Sequence, residues 1–147
     1  MGHVFVSPLS WGLGHATRDI PIIEELLAQG HNVTVGSSGN ALALLKRECP
    51  QCDFLSFKDY PAPYSSSRFF LPAFAAGLPA LLRAMRLEKK RFDEILAENR
   101  FDLIISDLRL PGAPGTDIIQ RCGDVPVLIM TSYASLRSAV DAMRLLL

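Results

Sequence analysis

Short apolar runs alternate along this chain with longer segments whose apolar residues return every three or four positions. Residues 3–7 (HVFVS) have the length and character of a buried strand, and in residues 18–29 (RDIPIIEELLAQ) the apolar positions fall at helical spacing. Gly30 supplies the stop for that helix. The pattern then predicts a strand over 32–36 (NVTVG), a helix over 40–48 and a strand over 53–57 (DFLSF). Residues 58–68 (KDYPAPYSSSR), rich in proline and serine, predict an exposed loop. Beyond it Leu78, Leu82, Met85, Phe92, Ile95 and Leu96 keep one face of a long helix apolar, broken near Glu88 and Lys89. A stripe of that kind predicts core packing. A fourth strand over 101–107 (FDLIISD) ends on a carboxylate, followed by a short helix over 115–123, a fifth strand over 125–131 (VPVLIMT) and a last helix over 135–147. The rhythm is that of an α/β protein: a three-layer αβα, Rossmann- or flavodoxin-like domain on a five-stranded parallel sheet of order 3-2-1-4-5. One domain over residues 1–147 is expected.

Composition narrows the range of functions. Half of the 147 residues are apolar, enough for one sizeable core, and 15 basic side chains balance 15 acidic ones. No global field draws the chain to nucleic acid or to an anionic membrane, so a partner has to be recognised locally. The most apolar window, residues 69–82, is broken by Pro72, Gly77 and Pro79 and falls short of the roughly 20 residues of a spanning helix. No basic stretch precedes a long apolar one at the start, so no secretory signal and a cytoplasmic location are expected. Cys49, Cys52 and Cys122 make no disulfide framework. Cys49-Pro50-Gln51-Cys52 has redox or metal spacing, but it ends a helix instead of opening one and no histidine lies near it. No metal centre is expected there.

The chemistry collects where parallel strands end, since ligands of such sheets bind beyond the carboxyl edge where the strand order reverses. After the first strand comes SPLSWGLGHATRD, residues 7–19. Gly12 and Gly14 allow a tight turn and a close approach to a ligand, and the helix that follows offers unpaired N–H groups to an anion. The expected guest is a phosphate, sulfate or diphosphate. The dinucleotide fingerprint is incomplete, because the third glycine is replaced by Thr17 and the second strand ends on Ser37 where an acid is needed. His15 is a base or an anion donor and Arg18 a phosphate partner, or both only cap and solvate a helix start. Asp107 is a phosphoacceptor or metal ligand, or a turn residue; Thr131 faces the crevice or caps the next helix.

Two families are resembled by different parts of the chain. Residues 8–31, PLSWGLGHATRDIPIIEELLAQGH, with FDLIISD closing the region, resemble the N-terminal half of bacterial GT-B glycosyltransferases related to the peptidoglycan N-acetylglucosaminyltransferase, over Val4 to about Asp107. That resemblance implies an acceptor-holding domain in which Gly12, Gly14, His15 and Arg18 are acceptor-side residues, while the nucleotide-sugar donor sits mostly on a second domain. Residues 102–145 resemble the second half of response-regulator receiver domains of nitrogen-regulation type. By that resemblance Asp107 stands at the phosphoacceptor position and Thr131 at the switch hydroxyl. Receivers hold Mg²⁺ with an acidic pair after the first strand, and here Ser7-Pro8-Leu9 stands there. Mg²⁺ is therefore expected only if the receiver-like site functions, and no other cofactor is implied. The two resemblances overlap at DLIISD. The expectation is a hybrid chain, engineered or recombined, in which the glycine loop is an inherited anion- or acceptor-binding site without a complete active site and the chain alone is not an enzyme. An acceptor-binding transferase fragment and a degenerate phosphorelay receiver are the alternatives, and a homodimer covering unmatched surface is the expected association. The ending MRLLL suits a truncated chain.

Overall fold

The computed structural model describes residues 1–8, 13–57, 70–107, 109–110, 113–114 and 116–130. The elements are β1 (His3–Ser7), α1 (Leu13–Ala28), β2 (Asn32–Ser37), α2 (Gly39–Glu48), β3 (Asp53–Ser56), α3 (Phe70–Glu98), β4 (Leu103–Asp107), β5 (Arg109–Leu110), β6 (Ala113–Pro114), α4 (Thr116–Arg121) and β7 (Val127–Met130). The main sheet runs β3-β2-β1-β4-β7, every pairing parallel, which is the expected 3-2-1-4-5 order. A two-stranded antiparallel ribbon, β5 with β6, follows β4 and had no counterpart in the sequence pattern. The predicted last helix, the 58–68 loop, Gly12 and Thr131 lie outside the described residues.

Alternation along the strands sorts the core onto two faces. Val4 and Val6 of β1, Val33 and Val35 of β2 and Ile105 of β4 pack with Ala16 and Ile23 of α1 and Ala41 and Leu45 of α2. Phe5 and Ile104 point the other way, against Phe92 and Ile95 of α3, Phe101 and Cys122. Gly36 makes room for this second face: a Cβ there would lie 2.5 Å from both the Phe5 and the Phe57 rings. Arg121 reaches back from α4 to Asp93 of α3 at 2.6 Å, an exposed pair of the kind that contributes little.

Two helices depart from the sequence reading. Instead of starting at Arg18, α1 starts at Leu13, so Gly14 and His15 are helical. Gly14 has no positive φ, and Thr17 Oγ1 donates to the Gly14 carbonyl at 3.1 Å within that first turn. Glycine there is a helix residue in place of a turn device. At its other end α1 closes as read: Gly30, at φ 82°, donates to the Leu27 carbonyl while His31 donates to Leu26, the paired bonds of a Schellman cap. The apolar stripe of α3 is only partly core. Phe92 and Ile95 are buried, but Leu82 is 43% exposed. Helical spacing aligns the stripe, yet it does not say how far along a 29-residue helix the sheet beneath it extends.

All three cysteines are buried. Cys49 caps α2 and is buried with Cys52; burial is the main cause that pushes both thiols up, Cys52 to about 11, and burial alone takes Cys122 to about 11. Thiols so disfavoured as thiolates are poor nucleophiles and poor metal ligands.

Candidate functional site

Asp107 is the last residue of β4 and stands two positions after Ile105, so strand alternation turns it to the α1 face. The register carries β1 and β4 together as far as Ser7 opposite Ser106, which puts Asp107 level with the point where the chain leaves β1 for α1. His15 sits in the first turn of α1, and its Nδ1 meets Asp107 Oδ2 in a close contact. The side chains are 25% and 9% exposed, so the carboxylate is sheltered while the imidazole still reaches the surface. With Nδ1–H donating to Asp107, the proton-accepting lone pair of neutral His15 is on Nε2, at the far side of the ring.

A second acid joins them. Asp19 follows His15 by four residues and belongs to the buried face of α1 with Ala16 and Ile23; it is 3% exposed. Burial first, and the negative charge of Asp107 second, raise its carboxyl from the usual 3.8 to about 7. Groups that sequence puts on two distant segments therefore gather at the carboxyl edge: an imidazole and a carboxylate in contact, and a buried acid one helical turn away. Ser37 ends β2 on the same face as Val35, and its buried Oγ has no hydrogen-bond partner among the described residues.

Of the residues singled out by sequence, His15 and Asp107 are brought together. Gly14 flanks them, and among the described residues a Cβ added to it would meet nothing within 4 Å. Arg18 is exposed on α1, one turn beyond Gly14, and forms no ion pair among the described residues. Asp19 was missed. Its signal was present: in an amphipathic helix the Ala16–Ile23 line is the inward one, and an acid on it is either an error of pattern or part of a site. Among the described residues no group of three or more His, Cys, Asp or Glu side chains is arranged to hold a metal ion.

No protein-family model matches this chain. Over 59 residues, 37% of its length, it is 39% identical to the response regulator protein PilR of Pseudomonas aeruginosa, of which that stretch is 13%. Solved structures align over nearly the whole chain. It is similar to CalG4, the calicheamicin glycosyltransferase, with a TM-score of 0.66 at 18% identity, covering 98% of this chain and 37% of that one. With Acinetobacter baumannii MurG the TM-score is 0.58 at 19% identity, covering 99% and 39%. The fold is the Rossmann-like one of GT-B glycosyltransferases. Both resemblances read in the sequence are thus found, the receiver-like one over a short stretch and the glycosyltransferase-like one in the fold. The chain spans little more than a third of those solved structures and about an eighth of PilR. Among the described residues no helix is long and apolar enough to cross a membrane.

Proposed function

We propose that this chain is the acceptor-side half of a glycosyl-transfer site, carried on a hybrid sequence, with His15 as the general base and Asp107 as the residue that orients it. The observation that carries this reading is the His15–Asp107 contact at the carboxyl edge of the sheet. An acceptor hydroxyl placed at His15 Nε2 gives its proton to the imidazole as its oxygen bonds to the anomeric carbon of the donor sugar. The nucleotide diphosphate leaves with the electron pair of the broken C–O bond. Asp107, hydrogen-bonded to Nδ1, fixes the tautomer and balances the imidazolium that forms. The start of α1 at Gly14 lies beside this point, and its unpaired N–H groups suit an acceptor that carries a phosphate or diphosphate.

On this reading the nucleotide sugar is bound by a second domain. The test is transfer in trans: the chain, a separately prepared GT-B donor domain, a UDP-sugar and hydroxyl-bearing acceptors, with product followed by mass. The expected result is product that needs both proteins and falls by at least about 100-fold with His15→Ala. Transfer indifferent to His15 overturns the assignment.

The likeness to PilR favours a second reading, a phosphorelay receiver using Asp107. In its way stands the engagement of Asp107 by His15. Acetyl phosphate or beryllofluoride with Mg²⁺ is expected to leave the mass and amide spectrum of the chain unchanged, and stoichiometric modification of Asp107 decides for signalling.

A further inference from the structure

A base and its orienting carboxylate need no second acid, yet this site has one. Asp19 emerges from α1 one turn after His15, so both side chains belong to one stripe of the helix. It occupies a place on the inward line between Ala16 and Ile23 where packing alone calls for an apolar residue, and at 3% exposure water does little to solvate a charge there. Asp107 arrives at the same edge from β4 and is held by His15. Few other charges reach this place among the described residues. The β2 strand beneath α1 has no titratable side chain, β1 has only His3 at its opposite end, and the charges of α2 are Lys46, Arg47 and Glu48 at the end remote from the site. On α1 itself, Arg18 is exposed and Glu24 and Glu25 lie past Ile23.

Resting on the reading of His15 and Asp107 given above, we propose that Asp19 is a positioning residue of the same site: a carboxylic acid kept beside the Asp107 carboxylate, whose proton sets the charge against which His15 works. While Asp19 holds its proton, the imidazole faces one negative charge. When the proton leaves, a second negative charge appears beside the first, and His15 binds a proton more tightly. The elevation of Asp19 to about 7 places this change in the range where a histidine base operates. The protonation of Asp19 is then coupled to the charge that the His15–Asp107 pair carries. A mutant that keeps the shape of Asp19 and deletes its ionisation leaves His15 in contact with Asp107 and weaker as a base.

The experiment is a titration of the full chain by NMR from about pH 4 to 10, following the side-chain nitrogens of His15 and the carboxyl carbon of Asp19, in the wild type, Asp19→Asn and Asp107→Asn. The expected result has three parts. In the wild type the Asp19 carbon titrates near neutrality. Asp19→Asn lowers the proton affinity of His15 by about threefold or more, and Asp107→Asn lowers it further while returning Asp19 towards the ordinary carboxylate range. An Asp19 carbon that titrates near its ordinary value, or a His15 curve unmoved by Asp19→Asn, overturns the proposal while a shift in Asp107→Asn leaves the dyad standing. If Asp107→Asn leaves His15 unmoved, the dyad itself falls. The wild-type carbon titration decides the question even if Asp19→Asn does not fold.

Discussion

Two histidines, His3 and His15, stand beside aspartates at opposite edges of one sheet. At the amino edge both nitrogens of His3 are engaged: Nε2 with Thr34 Oγ1 at 2.7 Å and Nδ1 with the Arg100 carbonyl at 3.2 Å, while the ring packs on Phe101 with centroids 4.6 Å apart. Asp102 there accepts from the His3 backbone N–H at 2.7 Å and is exposed. These bonds tie β1 to β2 and to the entry of β4. At the carboxyl edge His15 spends one nitrogen on a sheltered carboxylate, turns the other outward, and has a buried acid one turn away. The residue types are the same and the difference is what is left over. A histidine with both nitrogens committed to protein groups holds strands together, whereas one with a nitrogen to spare, an oriented tautomer and a charge beside it can move a proton.

Four experiments break or sharpen this contrast. The largest effect concerns stability against pH. Asp19 in the folded chain keeps its proton up to about 7, against 3.8 for an ordinary carboxyl, so its contribution to stability is fully present below about 3.8 and is lost as pH rises to about 7. At about 1.4 kcal/mol per pH unit the difference amounts to about 4 kcal/mol. Urea unfolding of wild type and Asp19→Asn between pH 4 and 8 is expected to show this loss in the wild type alone. Parallel pH profiles for the two proteins would place Asp19 outside the site's electrostatics. Next, His15→Ala is expected to remove transfer in the two-protein assay by about 10²–10⁴-fold, the usual range for a general base. His3→Ala is the converse case: it is expected to lower stability by about 1–3 kcal/mol, for two hydrogen bonds and one ring contact, and to leave transfer in the wild-type range. A loss of transfer in His3→Ala larger than its loss of folded protein would dissolve the distinction between the edges. The smallest effect is at Gly14. Its helical backbone and the empty space where a Cβ would stand predict that Gly14→Ala raises stability by about 0.5–1 kcal/mol, read as a higher thermal midpoint.

The sheet order was legible because each strand is a short apolar run punctuated by glycine, a carboxylate or a polar turn, and because right-handed crossovers leave few orders open. His15 and Asp107 were legible as single residues, since strand ends and the first turn after β1 are where such folds gather their chemistry. Their pairing was not: the order 3-2-1-4-5 places β4 beside β1, but nothing in the sequence states the register that brings residues 92 positions apart into contact. The start of α1 was misread because two glycines suggest a loop, while Gly14 has a helical backbone and Ala16, two residues on, is already buried in the core. Asp19 was passed over because an acid in an amphipathic helix is assigned to the wet side by default. Its neighbours Ala16 and Ile23 argued for the dry one. Leu82 failed for the opposite reason: helical periodicity marks a face, and the exposure of that face depends on what the helix lies against.

The central claim, that Asp107 fixes His15 as a base, is tested most directly by the tautomer of His15. A long-range proton–nitrogen correlation spectrum of the chain at slightly alkaline pH resolves the three histidines, His3, His15 and His31. His15 is expected to carry its proton on Nδ1, bonded to Asp107, and Asp107→Asn to abolish this preference. A His15 that carries its proton on Nε2 in the wild type, with no change in Asp107→Asn, would contradict it.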